Sequence, residues 1–402
     1  MSQAGSGAPG GGSTDAAARL CAYCSISSES GNTTGLRAMA ARLAADLERC
    51  GLVTEVTDEE DASGACQPVL LARGPAVGGT HLLLVGHLDT VLPAVEPRLQ
   101  GRRLHASGAL DMKGGLVTLV GALERLAERG QAPPADLLLV AVPDEEAEGA
   151  ISARAMRRFS RDARAVLVLE PGGLRDGGET LVAGRRGLAE WRLEVHGRSA
   201  HSGLAYWSGR SALLAAADWC VRARALSRPG PGPTVNVGRL VAGGADFVGD
   251  LAHHHDLIGS SRQLNLVPDR ARAEGELRFL SQDEGREVEA ALASAAESVA
   301  RDHEVTAGFE VGATVPPVDP RGPGAPLVRL AVELAARRGF RLEVEEDRGG
   351  ISFPNFMAGP EAVPVVDGLG PTGDGMHTAA EYLDLDSLDR RADLLADLLA
   401  TL

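Results

Sequence analysis

The chain of 402 residues lacks long apolar runs and has fewer basic than acidic residues. Its apolar runs, such as 82–85 and 137–142, are of strand length, whereas a membrane-spanning helix needs about 18 apolar residues in succession. The 40 Lys and Arg residues against 55 Asp and Glu give a formal charge of -15, which disfavours a general phosphate-binding surface. We therefore expect neither a membrane nor a nucleic acid as a partner.

Cysteine is also scarce, and the N-terminus has no secretory signal. Five cysteines are an odd number in a long chain, which is typical of a reducing compartment and not of a disulfide scaffold. The N-terminal residues contain no basic region followed by an apolar stretch. We therefore expect a cytoplasmic protein, with the Gly- and Ser-rich residues 1–14 as a disordered tail.

Three short and almost wholly apolar segments indicate the main fold. They are residues 81–86, 135–142 and 163–169, and helical patterns separate them. A strand that is apolar throughout is buried on both faces, and alternation of such strands with helices is typical of a doubly wound α/β sheet with mostly parallel strands. Because 44% of the residues are hydrophobic, the chain can form ordinary buried cores.

The pattern changes after Gly187, where apolar and polar residues alternate, as in LAEWRLEVHG. This alternation, interrupted by a helical pattern, predicts a smaller α+β unit with an antiparallel sheet. Helical patterns resume near the C-terminus. We therefore expect residues 15–187 and 317–402 to form one domain, with residues 188–316 inserted into it as a second.

Polar residues follow the ends of the predicted strands, where the ligands of an open α/β sheet bind. These segments contribute an imidazole and several carboxylates, namely His87, Asp89, Asp111, Glu145, Glu146 and Glu170. Unpaired carboxylates so close together would repel one another, and a divalent cation is the usual reason that such a cluster is tolerated. Imidazole and carboxylates without cysteine suit zinc, cobalt or manganese.

The His87-Leu88-Asp89 sequence has a geometry of its own. In an extended chain the side chains of His87 and Asp89 lie on the same face. We therefore expect the Asp89 carboxylate to accept a hydrogen bond from the second ring nitrogen of a metal-bound His87 and so to orient the ring.

Seven segments together resemble one family of enzymes. The segments are GHLDTVLP (86–93), GALDMKGG (108–115), PDEEAEG (143–149), LEPG (169–172), GRSAHSG (197–203), NLVP (265–268) and GDGMHTAAEYLD (373–384). In this order they are similar to the dinuclear-zinc amidohydrolases, a family that includes glutamate carboxypeptidase, acetylornithine deacetylase, succinyl-diaminopimelate desuccinylase, aminoacylase and carnosinase. The resemblance extends from about residue 16 to the end of the chain.

The resemblance implies two zinc ions per chain, with cobalt or manganese as possible substitutes. Asp111 would bridge the two ions. The remaining ligands would be His87 and Glu170 for one ion, and Glu146 and His377 for the other. Each ion would then have three protein ligands and an open position, as hydrolytic zinc requires.

Further roles follow from the same resemblance. Glu145 would be the general base, which takes a proton from the attacking water and passes it to the leaving amine. Asp89, beside His87, is also predicted to be a catalytic residue. His201, in the inserted dimerisation or lid domain, would donate to the developing oxyanion in a partner's active site, which implies a homodimer. Asn265 and Arg278 would bind substrate, and Arg278 would do so by pairing with a carboxylate of the substrate. A structural histidine and an ordinary surface arginine are the alternative interpretations of His201 and Arg278.

The chain departs from the family in two places. Where relatives read roughly GG-x-S-D-x-N-F in a loop that lines the substrate, this chain reads GGISFPNF. Gly350 and Ser352 remain candidates for substrate binding, but Phe353 replaces an acid, so we expect an apolar wall and poor turnover of cationic amides. Residues 245–264 are interpreted as an insertion whose His253–His255 run is a solvated loop, with a metal site as the alternative.

We expect a zinc-dependent hydrolase that cleaves an amide bond in a small carboxylate-bearing substrate, such as an N-acyl amino acid or a dipeptide. The segments PDEEAEG, LEPG and GRSAHSG favour the glutamate-carboxypeptidase-like branch. Three alternatives stay open: an acetylornithine-deacetylase-like N-deacylase, a non-catalytic homologue that binds an amino acid, and an acyltransferase in which an amine replaces water.

Overall fold

The computed structural model describes residues 12–76, 78–147, 149–250, 265–359 and 362–402. The chain divides into two compact units. The first comprises the described parts of Met1–Ala183 with Pro320–Glu346 and Ser352–Leu402, and the second comprises those of Gly184–Asp319 with Asp347–Ile351. The second unit is therefore an insertion in the sequence of the first.

The described residues form the following elements. The helices are α1 (Gly12–Cys24), α2 (Thr33–Arg49), α3 (Gly114–Glu128), α4 (Ala150–Phe159), α5 (Ala212–Ala225), α6 (Ala245–Asp250), α7 (Gln282–His303), α8 (Ala325–Arg337) and α9 (Leu385–Thr401). The strands are β1 (Val53–Glu60), β2 (Cys66–Arg73), β3 (His81–His87), β4 (Arg98–Gln100), β5 (Arg103–His105), β6 (Leu137–Val142), β7 (Ala163–Val168), β8 (Gly173–Arg175), β9 (Gly178–Val182), β10 (Gly187–His196), β11 (Thr234–Gly243), β12 (Arg270–Phe279), β13 (Thr306–Val315), β14 (Leu342–Glu345), β15 (Val365–Val366), β16 (Gly373–Asp374) and β17 (Tyr382–Asp384).

The main sheet of the first unit has the strand order β1-β2-β6-β3-β7-β15. Strands β6, β3, β7 and β15 run parallel, whereas β1 and β2 are antiparallel to their neighbours. Every residue of β3 and β6 is buried, as expected of strands that are apolar throughout. The prediction of a doubly wound, mostly parallel α/β sheet is confirmed, with an antiparallel edge that the sequence did not reveal.

Helix α9 is bonded to strand β9, which belongs to a separate three-stranded sheet of the first unit with the order β14-β9-β8. Arg391 of α9 is completely buried and donates to the Glu179 carboxylate at 2.7 Å and to the carbonyl oxygens of Thr180 at 2.9 Å and Gly368 at 3.1 Å. A buried guanidinium is tolerated only when its N–H groups are bonded and its charge is paired, and these contacts meet both conditions. The Glu179–Arg391 pair therefore stabilises the unit without touching the strand ends that follow β3 and β6.

The second unit is an antiparallel sheet of order β11-β12-β10-β13 with helices α5 and α7 packed against it. Its core contains Trp191 and Trp219, whose rings lie 5.0 Å apart at an angle of 61°. Gly275 faces this pair, and a Cβ there would come within 2.5 Å of the Trp191 ring, so the close packing requires glycine. The predicted α+β unit is confirmed, although α7 was not predicted.

The N-terminal segment differs in part from expectation. Residues 1–11 of the predicted tail lie outside the described residues, but residues 12–14 belong to α1. Cys21 and Cys24 lie on this helix, and all five cysteines of the chain are unpaired. None of the described helices combines the length and apolar character needed to cross a membrane. The His253–His255 run lies outside the described residues.

Candidate metal centre

Parallel strands bring their carboxyl ends, and the residues that follow them, to one edge of the main sheet. Strand β3 ends at His87, β6 is followed by the acidic loop of residues 144–146, and β7 is followed by Glu170. Asp111 comes from the turn Ala109–Lys113, which precedes α3. His377 comes from the loop after β16. All these side chains belong to the first unit.

Asp111 lies between the two histidines. Its Oδ1 is 3.1 Å from Nε2 of His87, and its Oδ2 is 3.2 Å from Nε2 of His377. Glu170 Oε1 lies 3.8 Å from the same nitrogen of His87, and Glu146 Oε2 lies 3.1 Å from that of His377. The structure thus brings all five predicted ligands together, as two groups that share one carboxylate.

His87 is oriented by the main chain of Asp89. Its Nδ1 lies 2.9 Å from the Asp89 carbonyl oxygen and 3.3 Å from the carboxylate Oδ1. The expected carboxylate contact is thus present, but the carbonyl oxygen of the same residue lies closer to Nδ1. A donated Nδ1–H leaves Nε2 free to act as a ligand.

The Asp89 carboxylate also binds the backbone of the acidic loop of residues 144–146. It accepts hydrogen bonds from the backbone N–H groups of Glu145 at 3.2 Å and Glu146 at 3.1 Å, and from the Ser30 hydroxyl at 2.7 Å. Asp89 is completely buried, which strengthens these bonds. Its position fixes the backbone of the two candidate functional glutamates.

Asp144, the first acid of the same loop, caps a helix. It accepts hydrogen bonds from the N–H groups of Ile151 at 2.7 Å and Ser152 at 2.9 Å, at the beginning of α4. An oxygen of Glu145 forms a group with His87 and Glu170 whose atoms all lie within 4.8 Å of one another. The three consecutive acids therefore divide into a helix cap, Glu145 beside the first group, and Glu146 in the second.

The electrostatics of the cluster favour a bound cation. Burial, with the nearby charges of Asp111 and Glu145, raises the pKa of Glu146 to about 8 and raises the pKa of Glu170 well above its ordinary value. The hydrogen bond with Asp111 raises the pKa of His377 to about 9, despite partial burial. The raised pKa values mean that Glu146, Glu170 and His377 tend to keep their protons, so the cluster favours positive charge.

The donor set fits a divalent metal. Oε1 of Glu146 is buried and has no hydrogen-bond partner among the described residues, so it is available as a ligand for a cation. His377 has a left-handed backbone with φ of 64°, a conformation that costs a non-glycine residue of the order of 1–3 kcal/mol and is concentrated at functional sites. Two imidazoles and three carboxylates suit zinc, cobalt or manganese.

The structure places four of the predicted substrate or catalytic residues in the second unit, namely His201, Asn265, Arg278 and Gly350. His201 and Asn265 are exposed, with His201 Nε2 at 3.4 Å from the Asn265 amide nitrogen. The N–H of Gly203 donates to His201 Nδ1 at 3.1 Å, and the Asn265 amide nitrogen faces Nε2, so both ring nitrogens lie against donors. Arg278 is bound by the Glu276 carboxylate at 3.0 and 3.2 Å. His201 thus presents an exposed ring beside Asn265, whereas Arg278 already has an acid partner.

The loop that reads GGISFPNF is divided between the units. Gly350, in the second unit, accepts a hydrogen bond from Arg185 through its carbonyl oxygen at 2.9 Å. Ser352, in the first, lies with its hydroxyl 3.4 Å from Glu170. Phe353 is completely buried, with its ring 6.3 Å from that of His87. The expectation of an apolar wall facing the substrate was wrong, since Ser352–Asn355 capping turns Phe353 into the protein interior.

One buried carboxylate of the site had no role predicted from the sequence. Glu381, four residues after His377, accepts hydrogen bonds from backbone N–H groups of the turn that carries Asp111. The only available signal was its place in the segment 373–384. Its partners could not be inferred, because backbone acceptors are not visible in sequence.

Comparisons with known proteins agree with this geometry. The family described as Peptidase family M20/M25/M40 matches residues 83–401. Carboxypeptidase G2 of Pseudomonas sp. (strain RS-16) is 26% identical over 94% of this chain and 86% of its own. Succinyl-diaminopimelate desuccinylase of Methylobacterium sp. (strain 4-46) is 29% identical over 80% of each chain.

Among solved structures, a dinuclear metal binding peptidase of the M20 family from Bacillus subtilis has a TM-score of 0.65 at 16% identity. The similarity covers 97% of this chain and 98% of that one, and it establishes a common fold. The matched residues include every predicted metal ligand and most of both units. The chain belongs to peptidase family M20/M25/M40 and is a metal-dependent hydrolase.

Proposed function

We propose that this enzyme is a two-metal hydrolase of the carboxypeptidase type, which cleaves an amide bond in a small substrate that carries a free carboxylate. An N-acyl amino acid or a dipeptide fits this description. The observation that carries the proposal is the shared Asp111, whose two oxygens each approach a different histidine. A carboxylate with one oxygen toward each of two imidazoles is suited to bridging a pair of ions.

The metal assignments proposed here are those that the resemblance implies, and the distances within the cluster are compatible with them. His87, Asp111 and Glu170 would hold one ion, and Asp111, Glu146 and His377 the other. We propose zinc, for which cobalt or manganese could substitute. When bound, a divalent pair would polarise the amide carbonyl and make water acidic enough to act near neutral pH.

Glu145 is proposed as the general base. Its carboxylate lies beside His87 and Glu170, and its backbone N–H is fixed by Asp89. It would take a proton from the attacking water and pass it to the nitrogen of the leaving amine, so that one residue serves both proton transfers. Asp89 contributes by holding the loop.

His201 is proposed to stabilise the oxyanion in the active site of a second subunit. Its ring is exposed, and with a proton on Nε2 it would donate to a developing negative charge. This role requires a homodimer. Asn265 would bind substrate beside His201, and Arg278, which already pairs with Glu276, would bind a substrate carboxylate through its remaining N–H groups. Gly350 and Ser352 remain proposed contacts of the substrate.

A substrate screen tests the proposal. The purified protein with added zinc or cobalt would be offered N-acyl amino acids and dipeptides, and the released amine measured. Cleavage of N-acyl glutamates or other uncharged and acidic amides supports a carboxypeptidase. Preferential removal of a succinyl or acetyl group from a basic amino acid would favour an N-deacylase. The similarity to the desuccinylase supports the same alternative. A product that joins the acyl group to an added amine would indicate acyl transfer, and binding without turnover would indicate a non-catalytic homologue.

Cytoplasmic location is part of the same proposal. It rests on the five unpaired cysteines, which are typical of a reducing compartment. Cell fractionation of the source organism would test it.

A further inference from the structure

The Glu381 carboxylate is hydrogen-bonded to the backbone of the turn that contains Asp111. Its Oε2 accepts a hydrogen bond from the N–H of Gly108 at 2.8 Å. Its Oε1 accepts from Leu110 at 2.8 Å and from Asp111 itself at 3.0 Å. Both oxygens are thus used on one short segment of backbone, and the side chain is buried within the first unit.

This turn needs an external support. Asp111 has φ of -114° and ψ of 98°, which lie outside the helical region, although the turn runs directly into α3. Gly108 precedes it with a left-handed φ of 70°. Regular helix geometry therefore does not determine where the Asp111 side chain points. Charge-assisted bonds from a buried carboxylate to three amides are strong enough to do so.

The segment of Glu381 also carries a second candidate ligand. His377 lies four residues earlier, and its Nε2 is 3.2 Å from the Asp111 carboxylate. The N–H of Glu381 donates to the carbonyl of Thr378 at 3.3 Å, which keeps this segment folded on itself. One segment therefore holds Asp111 at its carboxylate through His377 and at its backbone through Glu381.

We propose that Glu381 is a positioning residue that sets the bridging Asp111 in register with His377. The proposal rests on the proposed function, because it assumes that Asp111 and His377 are metal ligands. Glu381 does not touch the reacting atoms, and its effect passes through the backbone of Asp111. Loss of such an outer contact typically weakens metal affinity by about 10- to 100-fold.

Glu381→Gln is the test variant. The amide has nearly the shape of the carboxylate, but one oxygen becomes an NH2 group that faces an N–H donor, so at least one of the three bonds is lost. We expect the affinity for the more weakly bound ion to fall by about 10- to 100-fold. We also expect the visible absorption of the cobalt(II)-loaded protein to change, since these bands report ligand geometry.

Glu179→Gln is the matched control. It makes the same change at another buried carboxylate of the first unit, whose partners are Arg390 and Arg391 and not the metal turn. This variant should lower the melting temperature but keep metal affinity and the cobalt spectrum unchanged. A loss of metal affinity in both variants would show that Glu381 acts through general stability, and would overturn the proposal.

Two further outcomes are distinct. If wild-type protein binds no metal, the proposed function itself fails. If wild-type protein binds two ions and Glu381→Gln binds them with the same affinity and cobalt spectrum, only the positioning role is overturned. Should Glu381→Gln fail to fold, Glu381→Asp keeps the charge but is shorter by one methylene, and it should show the same loss of affinity.

Discussion

The two units hold their candidate residues in different ways. In the first unit, His87, Asp89 and Glu170 are buried and His377 is exposed, and contacts from several loops join the cluster. In the second, His201 and Asn265 are exposed. Buried groups with fixed partners are set before any ligand arrives, whereas exposed groups acquire their geometry from what they meet. The first unit therefore contains a prepared centre, and the second presents groups for contact.

Removal of metal is the most severe test of the prepared centre. We expect chelation to abolish turnover and added zinc or cobalt to restore it, because all the proposed catalytic steps depend on the ions held by the first unit. Elemental analysis should find about two divalent ions per chain in the active enzyme. Full activity in a protein shown to contain no metal would refute the two-metal hydrolase.

Adjacent glutamates should separate chemistry from metal binding. We expect Glu145→Gln to keep both ions and to lower kcat by ~10²–10⁴, the usual contribution of acid–base catalysis. Glu146→Gln should instead lose about one ion, because Glu146 lies 3.1 Å from His377. Metal content and single-turnover rates of both variants provide the measurement. If the metal contents were reversed, the two roles would have to be exchanged.

The exposed His201 tests whether the second unit contributes at all. We expect His201→Ala to lower kcat by ~10²–10³, which is typical of a lost oxyanion donor. Mixing this variant with Glu145→Gln should restore up to about half of the wild-type activity per heterodimer, because one site of two then has both native residues. Absence of recovery, in mixtures proven to exchange subunits, would mean that His201 does not act across a dimer.

The smallest effect concerns the pH dependence of the metal-free protein. The pKa of Glu146 is raised from 4.5 to about 8 by burial, and that of His377 from 6.5 to about 9 mainly by Asp111. The folded state then binds more protons than the unfolded state, so stability decreases as pH rises through this range. We expect the melting temperature of the chelated protein to fall between about pH 6.5 and 9. The melting temperature of the zinc-loaded protein should fall less over the same pH range. Equal decreases in the two forms would contradict the assignment of Glu146 and His377 as metal ligands.

The strand-end ligands could be predicted from the sequence for a physical reason. An apolar run fixes where a parallel strand ends, and all parallel strands end at the same edge, so His87 and Glu170 must be neighbours. His377 lies on no such strand, and only the resemblance identified it. The sequence therefore predicts the part of the site that the main sheet dictates.

The errors arose where backbone groups decide the geometry. Asp89 was expected to orient His87 through its carboxylate, but its carbonyl oxygen lies closer to the ring, and the carboxylate also binds the acidic loop. Phe353 was expected to face the substrate because it replaces an acid of the loop that lines the substrate in relatives. In the structure its side chain is completely buried, next to the Ser352–Asn355 cap. Glu381 is bonded only to amides of a distant turn. Such contacts depend on tertiary structure and leave no side-chain pattern.

The insertion of one unit into the other has a consequence for biosynthesis. Strand β15 pairs with β7, and β14 pairs with β9, although residues 184–319 of the second unit separate each pair in the chain. As the chain leaves the ribosome, the edge of β7 that binds β15 therefore stays unpaired until residues 365–366 have emerged. Most of the second unit is continuous in sequence and can fold earlier. The exposed edge of β7 is the point at which a nascent chain should be most prone to aggregate or to recruit a chaperone.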